Sequence, residues 1–129
     1  MPTYDHDDFD PPAPVASVDI RDQATGKTVA HIPMLMDTGA DVTLVPQVAL
    51  DHLQLAPTGE TAYELAGFGG ETRLLSAVQL DLIFCHKIFR GRFLPIDQPW
   101  GILGRNVLNA VSLRLDGPEL TWEEDKGTA

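Results

Sequence analysis

The sequence predicts a mostly-β fold in a single domain with one or two short helices, and three observations lead there. Apolar residues recur at every second position over short stretches, as where Val78, Leu80 and Leu82 alternate with Gln79 and Asp81. Gly, Pro and Asp clusters of the kind that make turns bound those stretches. The 129 residues contain neither an internal repeat nor a linker. That length reads as one domain, large enough to bury a core without disulfides or metals.

Residues 1–14 are rich in Asp and Pro and read as a flexible acidic tail. The folded domain is expected over 15–122, and 123–129 as a polar C-terminal tail. Val15 to Arg21 reads as a strand, Asp22 to Lys27 as a turn around Gly26, and Thr28 to Met36 as the return strand of a hairpin. Pro33 within it points to an edge or a bulge. Thr43 to Val45 is a short strand. Pro46 suits the first position of a short helix over Gln47 to Leu53, whose apolar face is Ala49, Leu50 and Leu53.

Glu60 to Ala66 is strand-like, and Gly67-Phe68-Gly69-Gly70 is a tight turn. Thr72 to Phe84 reads as one long second arm, and Lys87 to Ile96 as a further strand. Ile102-Leu103-Gly104 leads into a short helix over Arg105 to Asn109. Val111, Leu113 and Leu115 alternate on a late strand that Gly117-Pro118 ends, and Glu119 to Trp122 reads as a last edge strand.

Charge narrows the function. Hydrophobic residues are 43% and charged residues 22% of the chain, an ordinary globular balance, but the formal net charge is −10. No basic stripe is present to neutralise phosphates, which argues against nucleic acid. The same charge argues against docking on anionic membranes. No apolar run approaches the roughly 18 residues of a membrane helix. The acidic start, MPTYDHDDFD, has the character of neither a signal nor a transit peptide. The lone Cys85 excludes an intrachain disulfide and fits a reducing compartment, so a cytoplasmic protein is expected.

One stretch is chemically awkward. Met34-Leu35-Met36 runs straight into Asp37, followed by Thr38-Gly39-Ala40-Asp41-Val42. An aspartate drawn inside with an apolar run is costly unless something holds it. It is either a turn residue or a reactive carboxylate. Downstream come the glycine turn and, 65 residues after Asp37, Ile102-Leu103-Gly104-Arg105-Asn106.

With these three elements the chain resembles the retropepsins, the retroviral-type aspartic proteases, from about Val15 to Glu119, as a cellular or bacterial relative would. The resemblance implies a closed β-sheet domain with a flap hairpin and an active site on the axis of a twofold homodimer. Asp37, Thr38 and Gly39 would be the catalytic element, with one Asp37 from each subunit. Ala40, Asp41, Val42, Gly67, Phe68, Gly69, Gly70, Ile102 and Leu103 would bind substrate, with Gly67 to Gly70 closing over a polypeptide held as an extended strand. Arg105 would support the site by pairing with Asp41. Neither a cofactor nor a metal is implied. In viral relatives both termini interleave into a dimer sheet, and the polar C-terminus here departs from that pattern.

Other assignments compete. The same fold can serve as a non-catalytic dimerisation or peptide-binding module, and a self-processing protease is a further alternative. Cys85-His86 raises metal binding or thiol chemistry, but no further ligand stands at metal spacing and no base is placed for a cysteine nucleophile. His6, His31 and His52 are scattered and read as structural.

Overall fold

A computed structural model describes residues 2–56, 62–66 and 72–127. Six strands close into a barrel. They are β1 (Val15–Arg21), β2 (Thr28–Met36), β3 (Leu44–Pro46), β6 (Val78–Phe84), β7 (Lys87–Ile96) and β8 (Gly101–Leu103), in the order β1-β2-β8-β3-β7-β6. β4 (Ala62–Ala66) and β5 (Thr72–Ser76) form a separate hairpin, and β9 (Leu113–Asp116) and β10 (Thr121–Glu124) form another. Two short helices, α1 (Gln47–His52) and α2 (Arg105–Leu108), complete the fold. The expectation of a mostly-β domain with a closed sheet and few short helices holds.

The barrel buries the residues its alternation selects. Ala16, Val18 and Ile20 from β1 point inward with Ile32 and Met34 from β2, and Leu80, Leu82 and Phe84 from β6 join them. α1 lays Ala49, Leu50 and Leu53 onto this core, as its apolar face predicts. Pro33 pairs with Ser17 of β1, while the ladder to β8 begins only at Met34, so its missing N–H falls where no second neighbour asks for it. The β1–β2 pairing shifts register between Val18 and Ile20.

Several details differ from the sequence reading. The arm expected over 72–84 is two strands: β5 pairs with β4, then the chain changes sheet at Ala77 and β6 pairs with β1 and β7. Pro46 is the last residue of β3 and the N-cap of α1 rather than its first residue. β10 runs to Glu124, two residues into the expected polar tail. Residues 2–14 also make ordered backbone contacts that a free tail would lack. Thr3 bridges Thr121, the Tyr4 N–H donates to the Leu120 carbonyl at 2.8 Å, and Asp5 and Ala13 exchange bonds of 2.8 and 3.1 Å. Phe9 stacks at a tilt on Trp100, ring centroids 5.0 Å apart. Composition hid this because backbone N–H and C=O groups pair whatever side chains they carry.

Asp81 is a second surprise. Its place in the β6 alternation predicts exposure, yet it is only 1% exposed. In the register of the sheet it lies opposite Arg21 of β1 and Arg90 of β7. Arg21 reaches its carboxylate at 2.8 Å and Arg90 at 3.2 Å, and Gln23 donates at 2.9 Å. Burial pushes the Asp81 carboxyl up. The hydrogen bonds from Arg21 and Gln23 and the two guanidinium charges outweigh it and hold the group below the ordinary aspartate range.

Candidate active site

Asp37 sits just past β2, where that strand hands over to a loop. β2 runs parallel to β8, with Met34 beside Gly101, Leu35 beside Ile102 and Met36 beside Leu103. The ladder goes one step further, since the Asp37 N–H donates to the Leu103 carbonyl at 3.1 Å. On the other side of β8 lies β3, with Leu44 opposite Ile102. Residues 37–43 therefore cross over the end of β8 to join its two neighbours.

The crossing is tightly made. The Ala40 N–H donates to the Asp37 carbonyl at 3.1 Å, and the Gly39 N–H to Asp37 Oδ1 at 3.0 Å. That second bond orients one carboxylate oxygen inside its own turn. A Cβ on Gly39 would stand 3.1 Å from that oxygen, closer than such contacts normally settle, so any side chain there would push the carboxylate. Glycine at this position thus leaves the Asp37 carboxylate where its own turn holds it.

Residues 104–106 fasten the loop from below. The Gly104 N–H donates to Thr43 Oγ1 at 3.0 Å, and Thr43 Oγ1 donates to Asn106 Oδ1 at 2.7 Å. The Arg105 N–H donates to the Ala40 carbonyl at 2.8 Å, and one guanidinium nitrogen donates to the Thr38 carbonyl, also at 2.8 Å. The expected Asp41–Arg105 ion pair is absent among the described residues. Arg105 holds the loop backbone instead, and Asp41 stays exposed. An exposed ion pair contributes little in water, whereas the carbonyl contact fixes the turn that carries Asp37.

Burial sorts the remaining site residues. Met34 is fully buried, but Leu35, Met36 and Asp37 are only half-buried, so one chain alone does not enclose the carboxylate. Val42 and Ile102 are half-buried against Leu44, Ala77, Leu94 and Ile96, a small apolar cluster apart from the main core. They are placed to face an apolar side chain. Leu103 is not: it is wholly buried in the main core and supports the site from beneath. Thr38 and Gly39 are exposed and Ala40 half-exposed. The expected flap residues Gly67, Phe68, Gly69 and Gly70 lie outside the described residues, between β4 and β5.

Thr43 and Asn106 escaped the sequence reading. The clue was Thr43 itself, a hydroxyl between Val42 and Leu44 where an inward-facing residue would be apolar. Cys85 and His86 have φ of 53° and 60° and form the two-residue turn between β6 and β7. Among the described residues no group of His, Cys, Asp and Glu is gathered to hold a metal ion.

A family model described as retroviral aspartyl protease matches residues 11–116. The chain belongs to the retroviral aspartyl protease family. Among solved structures, this retropepsin is similar to EIAV protease complexed with the inhibitor HBY-793, with 24% identity, coverage of 76% of this chain and 86% of that one, and a TM-score of 0.56. That likeness shows a shared fold. No curated protein sequence matches the chain. The family match begins at residue 11, so it includes part of the segment read from composition as a tail.

Proposed function

We propose that this retropepsin is an aspartic endopeptidase whose two catalytic carboxylates are the Asp37 side chains of two copies. The observation that carries the reading is the fastening of the loop that carries Asp37: Arg105 holds the Thr38 and Ala40 carbonyls, and Gly104 and Asn106 hold Thr43 at its far end. A half-exposed carboxylate held this firmly is arranged for use, since a turn-capping aspartate needs no such clamp. One chain supplies one such carboxylate, and hydrolysis by this route needs two around a single water.

One carboxylate takes a proton from the water while the other, protonated, donates to the carbonyl oxygen of the peptide bond. Two carboxyls this close share one proton, the well-known behaviour of aspartic proteases as a class. The substrate would lie as an extended strand, with apolar side chains beside the cut resting on Val42 and Ile102. An acidic optimum follows from the shared proton. Two chains at −10 each also repel less as carboxylates protonate.

The test is cleavage of a diverse peptide library between pH 4 and 7 by the wild-type protein and by Asp37→Asn, with sedimentation run on both. The Asn variant should lose cleavage by roughly a thousandfold or more while keeping its fold and assembly. An Asn variant as active as wild type would end the proposal. A flat profile from pH 4 to 8 would remove the shared proton. A folded dimer without cleavage would favour a peptide-binding module instead.

A further inference from the structure

Residues 5–13 form a closed loop with one aromatic ring, Phe9, at its middle. Both ends of the loop are anchored. On one side the Tyr4 N–H donates to the Leu120 carbonyl at 2.8 Å. On the other the Met36 N–H donates to the Pro14 carbonyl at 3.1 Å, one residue before Asp37. Asp5 and Ala13 bond each other's backbone across the neck, and Asp5 Oδ1 accepts from the Asp7 and Asp8 N–H groups at 2.8 and 3.0 Å. Phe9 stands midway between the two neck residues and meets Trp100, ring centroids 5.0 Å apart.

Trp100 stands at the rim of the candidate site, directly before β8. A Cβ at Gly101 would run into Met34 Sδ and the Leu44 carbonyl, and Met34 belongs to the main core, so that position of β8 faces inward. Strand alternation turns Ile102 to the opposite face, where it is half-buried beside Val42. The residue on the other side of Gly101, Trp100, leaves on that same face. Ile102 and Trp100 thus border one apolar surface, the surface placed to face a substrate side chain. Both rings of the Phe9–Trp100 pair are half-buried, and among the described residues they belong to neither apolar cluster, so packing of the interior does not explain their contact. The tight passage at Gly101 fixes the backbone beside Trp100 but leaves its side-chain torsions to be set by a neighbour, and Phe9 is that neighbour.

We propose that the 5–13 loop is a wall of the substrate site, in which Phe9 holds the Trp100 ring and so sets which apolar side chain the surface at Val42 and Ile102 accepts. The inference rests on the reading of Asp37 as a peptide-cleaving carboxylate and adds a specificity determinant to it. Phe9 is a positioning residue that acts through Trp100. A held indole presents a fixed apolar surface, which favours a large side chain such as Leu or Phe over Ala beside the cut. A free indole must be ordered each time such a side chain binds, and that ordering weakens binding. The effect therefore falls on KM and leaves the chemistry at Asp37 alone.

The test uses Phe9→Ala, Phe9→Tyr and Trp100→Ala with two peptide series carrying Ala, Leu or Phe beside the central bond. One series has an ordinary peptide bond and reports cleavage; the other has a reduced-amide bond and reports binding. Phe9→Ala should raise KM for the Leu and Phe peptides about three- to tenfold, with the matching reduced-amide Kd rising in step. Its kcat, and its KM for the Ala peptide, should stay within about twofold of wild type. Phe9→Tyr should restore the wild-type preference. Trp100→Ala should already lack it, and adding Phe9→Ala to that variant should change nothing more, because the two rings act as one unit. Acrylamide should quench the indole emission of Phe9→Ala more strongly than that of wild type. The difference reports on Trp100, since the second of the two tryptophans, Trp122, is 8% exposed. Lower stability with an unchanged order of KM and Kd would overturn the inference while the proteolytic reading stands. Equal losses on the Ala, Leu and Phe peptides would overturn it too. Binding of the reduced-amide series with this Phe9-dependent preference, but no cleavage by wild type, would uphold the wall and count against the protease reading alone. A wild-type protein that binds neither series would overturn both.

Discussion

The Gly104 N–H donates to Thr43 Oγ1 across 3.0 Å at the point where the loop carrying Asp37 crosses the chain. A Cβ on Gly104 would fall well inside van der Waals contact distance of the Val42 carbonyl oxygen, a backbone atom that cannot swing aside. Gly104→Ala should therefore cost roughly 3 kcal/mol or more, as severe overpacking does. Thr43→Val keeps the shape but strands the Gly104 N–H and the Asn106 carbonyl oxygen, at about 1–3 kcal/mol. Urea unfolding of the two variants, read as a shift in midpoint at constant slope, checks both values.

Arg105 bears on activity more than on stability. Its guanidinium holds the Thr38 carbonyl while its own N–H holds Ala40. Arg105→Lys keeps the charge but replaces a planar donor by a flexible ammonium. Peptide cleavage should drop by about tenfold to a hundredfold, because small misplacement of a reacting group is expensive. Unfolding free energy should change by less than about 1 kcal/mol, since the side chain is exposed. A large loss of stability with unchanged kcat would show that Arg105 serves the fold alone.

Asp81 ties the fold to pH. Its folded-state pKa is lowered, chiefly because hydrogen bonds from Arg21 and Gln23 outweigh the opposing effect of burial. A lowered carboxyl stabilises the fold above its unfolded value of 3.8, and that stability is lost as pH falls further. Asp81→Asn should cost about 2 kcal/mol at neutral pH, tempered because Arg21 and Arg90 still reach water. It should also flatten the fall in stability below pH 4. Thermal melts of both proteins from pH 3 to 7 would show it. Parallel curves over that range would mean that other carboxylates govern the acid limit.

These sites also mark how far the sequence could be read. β1, β2 and β7 were legible to the residue, because alternation and turn residues are local signals. The turn at Asp37-Thr38-Gly39, straight after the apolar run of β2, was legible for the same reason. The break at Ala77 was not, since alternation continues unchanged while the chain passes from one sheet to another. Asp81 looked solvent-facing because its strand alone cannot reveal an arginine on each neighbouring strand. Thr43 and Asn106 meet across 63 positions, and Arg105 chooses a backbone carbonyl over Asp41. Pairings of that range depend on topology, which periodicity does not encode. The N-terminal segment has the composition of a disordered chain, while its contacts with β10 run through the backbone, which composition does not encode.

The turn joining β6 and β7 offers a direct gain in stability. Cys85 and His86 both have positive φ, at 53° and 60°, in a two-residue loop closed by Phe84 and Lys87. Two positive φ values match a type I′ turn, for which Asn-Gly is preferred and neither residue present is well suited. Replacing the pair by Asn-Gly should stabilise the fold by about 1–2 kcal/mol through relief of left-handed backbone strain. Cys85 adds a pH signature. Burial, reinforced by the nearby charge of Glu124, pushes its thiol from 9.0 up to about 11. A raised pKa on an acid that is neutral when protonated means the folded state keeps its proton longer. The associated stability is complete below pH 9 and is lost as pH rises toward 11. Thiol-directed reagents at pH 8 should modify the native protein far more slowly than the urea-unfolded chain, because the thiolate is the reactive form. The Asn-Gly variant should lose this alkaline decline while gaining stability at pH 7. A variant less stable at pH 7 would show that packing of the Cys85 side chain against the core outweighs the backbone strain.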